Sequence, residues 1–193
     1  MSNYASLKSS LNRYPNLLTD VQNELARRDA VRFAESMGFV PDAWQKRVLT
    51  WTSDRLLMNC ARQSGKSTTA AALAVYVAVT VPGSLIILVS SSQRQSSELF
   101  RKVKDWLERM SIPPELDEDN QLSCRLKQNG SRILALPGSE KTIRGYSGAT
   151  LIIEDEASRV DDELYMAIRP MLAVSKGKLI LMSTPFGKRG HFY

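Results

Sequence analysis

The segment Ala61–Thr68 carries residues whose types and order suit the binding of phosphate groups. The apolar run Leu56–Cys60 predicts a strand before it, and an alanine-rich helical pattern begins immediately after it. Between a strand and a helix N-terminus, successive backbone N–H groups and the helix dipole create positive potential for phosphates. In such a loop Gly65 lets the backbone come close, Lys66 neutralises the terminal phosphates, and the Ser67 hydroxyl ligates Mg²⁺.

The segment departs from the consensus G-x-x-x-x-G-K-[ST] at its first position, where Cys60 stands in place of glycine. A chance Gly-Lys-Ser at a helix start capped by Ser64 is the alternative interpretation. The flanking strand and helix favour the phosphate loop, in which Gln63, Ser64 and Thr68 would also contact a nucleotide.

A second candidate group follows the apolar run 151–153, where Glu154, Asp155 and Glu156 succeed one another. Carboxylates at the end of a buried strand can hold Mg²⁺ beside a phosphate loop and place a base next to the attacking water. We therefore assign Asp155 to the metal and Glu156 to catalysis. Glu154 alternates to the other side of a strand, so we expect a structural role for it. The alternative is a cap cluster for the helix that contains Leu164.

Two hydroxyl residues, Ser183 and Thr184, follow the predicted strand Lys178–Met182, and Pro185 stops that strand. If this strand neighbours the strand of Asp155, the hydroxyls would reach the terminal phosphate and report its hydrolysis to the rest of the protein. An ordinary polar loop is the alternative.

Short apolar runs alternate with longer helical segments along the chain, which is typical of an α/β domain. Residues 85–89 and 179–182 are apolar throughout, as in strands of a mainly parallel sheet flanked by helices. Residues 122–136 predict a hairpin that turns at Asn129-Gly130. Ligands of such sheets lie beyond the carboxyl ends of the strands, where we place Gly65. The predicted strands are Leu56–Cys60, Ser84–Ser90, Arg132–Leu136, Leu151–Glu154 and Lys178–Met182, and the predicted helices are Lys66–Thr80, Gln93–Met110 and Asp161–Ala173.

The composition of the 193 residues, 43% of them hydrophobic, is that of one globular domain. Residues 1–35 are polar with apolar positions at helical spacing, so we predict a helical N-terminal arm and a core over residues 36–193. The longest apolar stretch, Ala70–Val81, is too short to cross a bilayer, and the N-terminus lacks a signal-peptide core. We therefore expect a cytosolic protein.

The two cysteines and the one histidine argue against several kinds of functional site. Cys60 and Cys124 both fall in predicted strands without a paired spacing, which argues against a disulfide framework or a zinc site. His191 is the one histidine and lies near the end of the chain, which argues against a Ser-His-Asp or Cys-His nucleophile. The net charge of +6 suits a polyanionic partner without requiring one.

Together these residues resemble the ATPase domain of large terminase subunits from tailed bacteriophages. The resemblance covers most of the chain from about Pro41, and it implies a P-loop NTPase fold of the RecA-like, ASCE type that hydrolyses ATP with Mg²⁺. The segments that carry it are Arg62 to Ser67, Ile152 to Ala157, Ser183-Thr184-Pro185, Gly187 and His191-Phe192-Tyr193.

The resemblance also suggests roles for residues outside the two central motifs. The family's loop arginine falls on Arg62, and its adenine-contacting aromatic-Gln pair falls on Trp44-Gln45, for which a surface pair packing against Leu49 is the alternative. The family's coupling motif falls on Ser183-Thr184. Arg144 looks like an arginine that reaches a neighbouring subunit's nucleotide, with a simple loop cation as the alternative. Which of Arg62 and Arg144 is the arginine finger stays open.

The function implied by the resemblance is ATP-driven translocation of double-stranded viral DNA into a procapsid in the host cytoplasm. The implied partners are double-stranded DNA, a portal protein, a small terminase subunit and further copies of the chain in a ring, for which we expect five. We expect the isolated domain to be monomeric. Family members also carry a C-terminal RNase H-like nuclease, which the sequence to Tyr193 leaves no room for, so we expect no DNA cleavage by this chain.

Two other functions fit part of the pattern. A superfamily-2 helicase core also carries an acidic motif like 155–158 and a hydroxyl motif like Ser183-Thr184, but it needs a second RecA-like domain. A non-hydrolysing DNA-binding or assembly module would have no use for Lys66, Asp155 and Glu156 together.

Overall fold

The computed structural model describes residues 29–137, 143 and 145–193. Residues 1–28 of the predicted arm, and Arg144, lie outside the described residues. The strands are β1 (Arg55–Asn59), β2 (Leu85–Ser90), β3 (Leu116–Asp119), β4 (Ser123–Leu126), β5 (Arg132–Pro137), β6 (Leu151–Asp155) and β7 (Lys178–Ser183). The helices are α1 (Ala30–Ser36), α2 (Ala43–Leu49), α3 (Lys66–Thr80), α4 (Gln93–Glu108) and α5 (Asp162–Ala173), with a 3-10 helix at Ala157–Arg159.

The described strands form one seven-stranded sheet in the order β1-β7-β6-β2-β5-β4-β3. The pairs from β1 to β5 in this order are parallel, and β4 and β3 join antiparallel at the far edge. Carboxyl ends of parallel strands share one edge, so β1, β7 and β6 all end on the same side. The predicted mainly parallel sheet, with Gly65 at its C-terminal edge, is confirmed.

Each inner strand is covered on both faces because its side chains alternate. On one face Ile86, Leu88 and Ile153 pack beneath α1 to α4. On the other face Ile87 and Ile152 pack beneath α5. All six residues of β2 are buried, which accounts for its uninterrupted apolar sequence.

The helix α3 lies close against the sheet because its inner side consists of small residues. Ala70, Ala71, Ala72 and Ala74 have no exposed surface. The far end of α3 is capped by Asn129, whose Nδ2 donates to Ala78 O at 2.8 Å. This side-chain bond satisfies a carbonyl that the helix itself leaves free.

The predicted hairpin of residues 122–136 is confirmed, but its turn is longer than the Asn129-Gly130 pair indicates. Leu126 N–H donates to Ser131 O at 2.8 Å, so residues 127–130 form the loop. Gly130 provides the left-handed residue, with a φ of 72°. The Asn129 side chain also donates to α3, a long-range contact that local turn chemistry does not reveal.

Other element boundaries differ from prediction by one or two residues. Strand β1 ends at Asn59, so Cys60 follows the strand rather than lying inside it. Its N–H still donates to Ser183 O at 3.0 Å and extends the pairing with β7. Helix α4 ends at Glu108 instead of Met110.

The edge strand β3 was not predicted from sequence. Its sequence Leu-Asp-Glu-Asp has one apolar residue, so the alternation that marks a strand is missing. Pairing with β4 and a salt bridge between Asp119 and Lys104 of α4 hold it in place. A charged, short edge strand of this kind also discourages pairing with other chains.

Helix α1 crosses the predicted boundary at residue 35 between arm and core, and that boundary stays a prediction. Phe33 is buried and meets Tyr76 of α3 edge-on at 5.5 Å between ring centroids. This part of the chain therefore packs on the core. Among the described residues no helix combines the length and apolarity needed to cross a membrane.

The close packing of Gly177, just before β7, leads to a stability prediction. A Cβ on Gly177 would lie 2.0 Å from Ala149 O, so the β6 and β7 ends would have to separate. We expect Gly177→Ala to lower the free energy of unfolding by about 1–3 kcal/mol or more, as overpacking does. Gly145→Ala is the matched control, because no atom lies within 4 Å of its added Cβ. Equal stability of the two variants in urea unfolding would contradict this reading of the β6–β7 junction.

Candidate active site

The loop between β1 and α3 holds a backbone conformation that few residues adopt easily. Gln63 has a φ of 59° and Gly65 a φ of 86°. A Cβ on Gly65 would lie 2.8 Å from Gln45 Nε2, so glycine is needed there for both conformation and space. Among the described residues, the non-glycine positions with a positive φ are Gln63, Glu156 and Lys176, so Cys60 does not have one. The backbone conformation at position 60 therefore does not require glycine.

The first turn of α3 brings two predicted site residues to the acidic end of β6. Lys66 is buried, and its Nζ lies 3.4 Å from Glu156 Oε1. Ser67 Oγ donates to Asp155 Oδ2 across 3.5 Å. The phosphate loop and the acidic strand end thus meet, although β7 lies between their two strands.

The other loop residues differ in their surroundings. The Ser64 hydroxyl is buried and has no hydrogen-bond partner within the described part of the chain. Thr68 faces α4, where its Oγ1 accepts from Lys102 Nζ at 3.5 Å and its backbone O accepts from Trp106 Nε1 at 3.2 Å. The Ser64 hydroxyl therefore has an unsatisfied hydrogen-bonding capacity, whereas the Thr68 side chain contacts a helix.

The carboxyl of Asp155 is buried at the end of β6. Burial raises its pKa to about 6, with the charge of Lys66 opposing this and the charge of Glu156 adding to it. Its Oδ1 accepts from the N–H of Glu156 at 2.9 Å, which fixes the carboxyl group. A cation at this position would favour the ionised form.

Glu156 leaves the sheet through a left-handed residue, with a φ of 54°. Each of its carboxylate oxygens faces a cation: Oε1 lies 3.4 Å from Lys66 Nζ, and Oε2 lies 3.8 Å from Arg159 Nε. A positive φ at a glutamate is strained, and such strain is found where surrounding contacts impose it, often at active sites.

These side chains line an open cleft of about 370 Å³. Prediction from sequence identified four of its residues and missed Gln95 and Arg159. Arg159 lies three residues after Glu156, a spacing that could have indicated it, whereas Gln95 reaches the cleft only because β2 and β6 are neighbours. The lining residues are Arg62, Gln63, Lys66, Gln95, Glu156 and Arg159.

The predicted Trp44-Gln45 pair lies at the start of α2. Gln45 is only 5% exposed, so it is not part of a surface pair. Its Oε1 accepts from Asp42 N–H at 2.7 Å in a capping box, while its Nε2 lies beside Gly65. Trp44 is partly buried against the core. The structure thus places Gln45 at the phosphate loop, and a contact with adenine stays a prediction.

The expected adjacency of the Ser183 strand and the Asp155 strand is observed, because β7 pairs with β6. Ser183 is fully buried and its Oγ lies 2.6 Å from Ser158 Oγ. Ser158 Oγ also donates to Thr184 O at 3.0 Å. The hydroxyl motif therefore contacts the turn that follows Glu156, and its contact with a phosphate stays a prediction.

The site residues fit a nucleotide and a hard cation. The free Ser64 hydroxyl and the glycine at position 65 suit phosphate oxygens. Ser67 and Asp155 offer oxygen ligands within 3.5 Å of each other, which is the donor type that Mg²⁺ prefers.

Glu154 lies on the opposite face of β6 from Asp155, as its alternation predicts. It is fully buried, and its Oε1 lies 2.8 Å from His191 Nε2. His191 Nδ1 lies 3.1 Å from Asp162 Oδ1, and the imidazole stacks on Tyr165 at 4.5 Å between centroids. This cluster ties the segment after β7 to β6 and α5.

Burial, hydrogen bonds and charges in this cluster shift the pKa values of Glu154, His191 and Asp162. Burial raises the pKa of Glu154, against its hydrogen bond to His191. Burial alone would lower the pKa of His191, but the bonds and charges of Glu154 and Asp162 together raise it. The backbone N–H of His191 lowers the pKa of the exposed Asp162.

The His191 cluster predicts how stability depends on pH. Because the folded pKa of His191 lies above its usual 6.5, protonation stabilises the fold fully below that pH. This contribution is lost as the pH rises through the raised pKa. We expect thermal melts of the wild-type chain to shift downward over this range, and His191→Gln to lack that part of the shift. Asp162→Asn, which keeps the buried Glu154 contact, should retain most of it. Parallel profiles for wild type and His191→Gln would contradict the assignment.

Comparison with known proteins identifies the family. The family described as terminase large subunit, T4likevirus-type, N-terminal, matches residues 57–193. The large terminase subunit of Thermus phage G20c is 30% identical over 178 residues, which cover 83% of this chain and 37% of that protein. The chain thus spans little more than a third of the length of this relative.

Solved structures show the same fold. The large terminase ATPase domain of Thermus phage P74-26 matches with a TM-score of 0.74 and 24% identity, over 82% of this chain and 70% of that one. A large terminase from a thermophilic bacteriophage, in complex with ADP, matches with a TM-score of 0.60 and 14% identity, over 75% of this chain and 39% of that one. The expected RecA-like P-loop fold is confirmed. With its family match over residues 57–193, the chain belongs to the T4likevirus-type terminase large subunits, as part of their N-terminal region.

Proposed function

We propose that this chain binds ATP with Mg²⁺ and hydrolyses it, and that this reaction powers translocation of double-stranded viral DNA into a procapsid. The observation that carries the proposal is the meeting of Lys66 and Glu156 across the cleft, 3.4 Å apart. A phosphate-binding lysine and a carboxylate that orients water are the two groups that P-loop hydrolysis requires at one place.

The phosphates of ATP would occupy the cleft between the loop and Glu156. Lys66 would exchange its contact with Glu156 for the terminal phosphates, supported by the Ser64 hydroxyl and loop N–H groups. Glu156, released from Lys66, would then accept a hydrogen bond from the attacking water and orient it toward the terminal phosphorus. A large terminase with the same fold was solved in complex with ADP, which supports nucleotide binding by this chain.

Ser67 and Asp155 would hold Mg²⁺, which neutralises charge on the phosphate chain. Their oxygens lie 3.5 Å apart beside Lys66, and the raised pKa of Asp155 reflects a carboxylate that is buried without a full charge partner. Trp44 and Gln45 would contact the adenine, and the position of Gln45 Nε2 beside Gly65 supports this role for Gln45.

The arginine that stabilises the transferred phosphoryl group has two candidates. Arg62 lines the same cleft as Lys66 and Glu156, which supports a role for it within its own subunit. Arg144 lies outside the described residues and remains the candidate for a contact across a ring of subunits. An arginine finger contributes about 10³–10⁵ in rate, so a trans role would make the isolated monomer slow.

The partners are proposed from family membership. They are double-stranded DNA, a portal protein, a small terminase subunit and, on the procapsid in the host cytoplasm, a ring of copies that we take to be five. The net charge of +6 suits a protein that works on DNA. DNA cleavage is not part of this proposal.

Substitutions at the cleft should separate binding from turnover. Lys66→Ala removes the charge that neutralises the phosphates, so we expect about 10–100-fold weaker binding of ATP. Glu156→Gln keeps the shape but cannot act as a base, so binding should persist while phosphate release falls about 10²–10⁴-fold. Binding is measured with a fluorescent ATP analogue and Mg²⁺, and turnover by phosphate release.

Lys127→Ala is the control for the loss of a lysine, because Lys127 pairs with Glu115 at the surface, outside the cleft. It should match the wild type in both assays. Wild-type turnover in Glu156→Gln would overturn its assignment as the catalytic carboxylate. Binding without any turnover in the wild-type chain would favour a non-hydrolysing module.

The helicase alternative predicts a different DNA product. With ATP and Mg²⁺, we expect the chain to leave a forked duplex paired, because the proposed translocase moves double-stranded DNA without separating its strands. The duplex is followed by the separation of a fluorophore and a quencher at the fork. Strand separation that disappears in Lys66→Ala would replace the translocase proposal with a helicase.

A further inference from the structure

The clearest unexplained group in the cleft is Arg159, which none of the phosphate-loop or acidic-strand roles requires. We propose that Arg159 is a positioning residue that holds the Glu156 carboxylate during hydrolysis, and that Phe186 holds Arg159. This inference rests on the proposed ATP hydrolysis and adds to it a specific contact that orients the catalytic carboxylate.

Glu156 needs a partner of this kind because it follows the last residue of β6. Its φ of 54° places it beyond the end of β6, so β-sheet hydrogen bonds do not fix its side chain. Its two partners in the described residues are Lys66 on Oε1, at 3.4 Å, and Arg159 on Oε2, at 3.8 Å. When phosphates engage Lys66, Arg159 is the cation that stays with the carboxylate.

Arg159 is itself held by an aromatic ring. Its Cζ lies 3.9 Å from the centroid of Phe186, and Arg189 Cζ lies 4.4 Å from the same centroid. The ring therefore lies close to two guanidinium groups, an arrangement that favours planar stacking of each arginine. A stacked guanidinium has fewer conformations, so its contact with Glu156 is better defined.

The contact between Arg159 and Phe186 connects the turn after Glu156 to the segment that follows β7. Phe186 follows the hydroxyl motif at the end of β7, and Ser183 of that motif already contacts Ser158 at 2.6 Å. The short 3-10 helix of residues 157–159 is thus attached to the segment after β7 at two successive side chains. A movement of that segment would shift Arg159 and with it the carboxylate that orients water.

Substitution of Arg159 should therefore affect turnover more than binding. In the wild-type chain and in Arg159→Ala, we compare kcat and KM for phosphate release with the affinity for a fluorescent ATP analogue and Mg²⁺. We expect kcat to fall about 10–100-fold, while KM and affinity stay within about 2-fold, because the ground-state contacts to phosphate remain. Arg159→Lys, which keeps the charge without the planar stack, should recover part of the rate.

Arg109→Ala is the matched control, because Arg109 also lies over an aromatic ring, Trp106 at 5.8 Å, but outside the cleft. It should retain the wild-type kcat. Phe186→Ala should lower kcat in the same direction as Arg159→Ala, and the double variant should lose little more than Arg159→Ala alone. Such non-additivity is expected when two residues act through one contact, whereas independent structural damage adds up.

Three results would overturn the inference while leaving the proposed hydrolysis in place. A wild-type kcat in Arg159→Ala would show that Glu156 does not depend on it. Weaker ATP binding at unchanged kcat would make Arg159 a ground-state phosphate ligand instead. Additive losses in the double variant would remove Phe186 from the account. The phosphate-release assay on the wild-type chain separates these results from a failure of the proposed hydrolysis. Absence of turnover there would overturn the hydrolysis together with this inference.

Discussion

The balance of charge in one cleft is the constraint on which the site depends. Lys66 and Asp155 are buried, and Glu156 is mostly so, yet each is ionisable. Buried charges cost several kcal/mol each unless they are paired. The pairing of Lys66 with Glu156 meets part of this requirement, and burial raises the pKa of Asp155 despite the nearby charge of Lys66. In the proposed complex, a triphosphate would place negative charge beside Lys66, and its cation would place positive charge beside Asp155.

Two successive acidic residues of β6 face opposite sides of the sheet. Asp155 faces the phosphate loop, whereas Glu154, one residue earlier, faces α5 and binds His191. The same alternation places Ser183 of β7 on the α5 side, where it meets Ser158. Contacts therefore run from the phosphate-loop side of β6 to the segment after β7 through adjacent residues of one strand and the turn that follows it.

The fold could be predicted largely from sequence because its inner strands are mostly apolar, the phosphate loop ends at Gly65, and acidic residues follow Ile153 at the end of β6. Those signals depend on local composition, and they also gave the phosphate loop, Asp155 and Glu156. Features that depend on distant contacts were missed. Strand β3 is polar and is held by β4, and the Asn129 side chain bonds to α3. Gln95 lies on α4 and reaches the cleft because β2, the strand before α4, neighbours β6. The structural role expected for Glu154 followed from alternation, but its partner His191 could not be found from spacing.

The most direct test of the account is a crystal structure of the chain with Mg²⁺ and a non-hydrolysable ATP analogue. The account predicts phosphates between the loop and β6, Lys66 Nζ moved from Glu156 to a phosphate oxygen, and the cation beside Ser67 and Asp155. A nucleotide bound elsewhere, or bound here with the 3.4 Å contact between Lys66 and Glu156 unchanged, would contradict it.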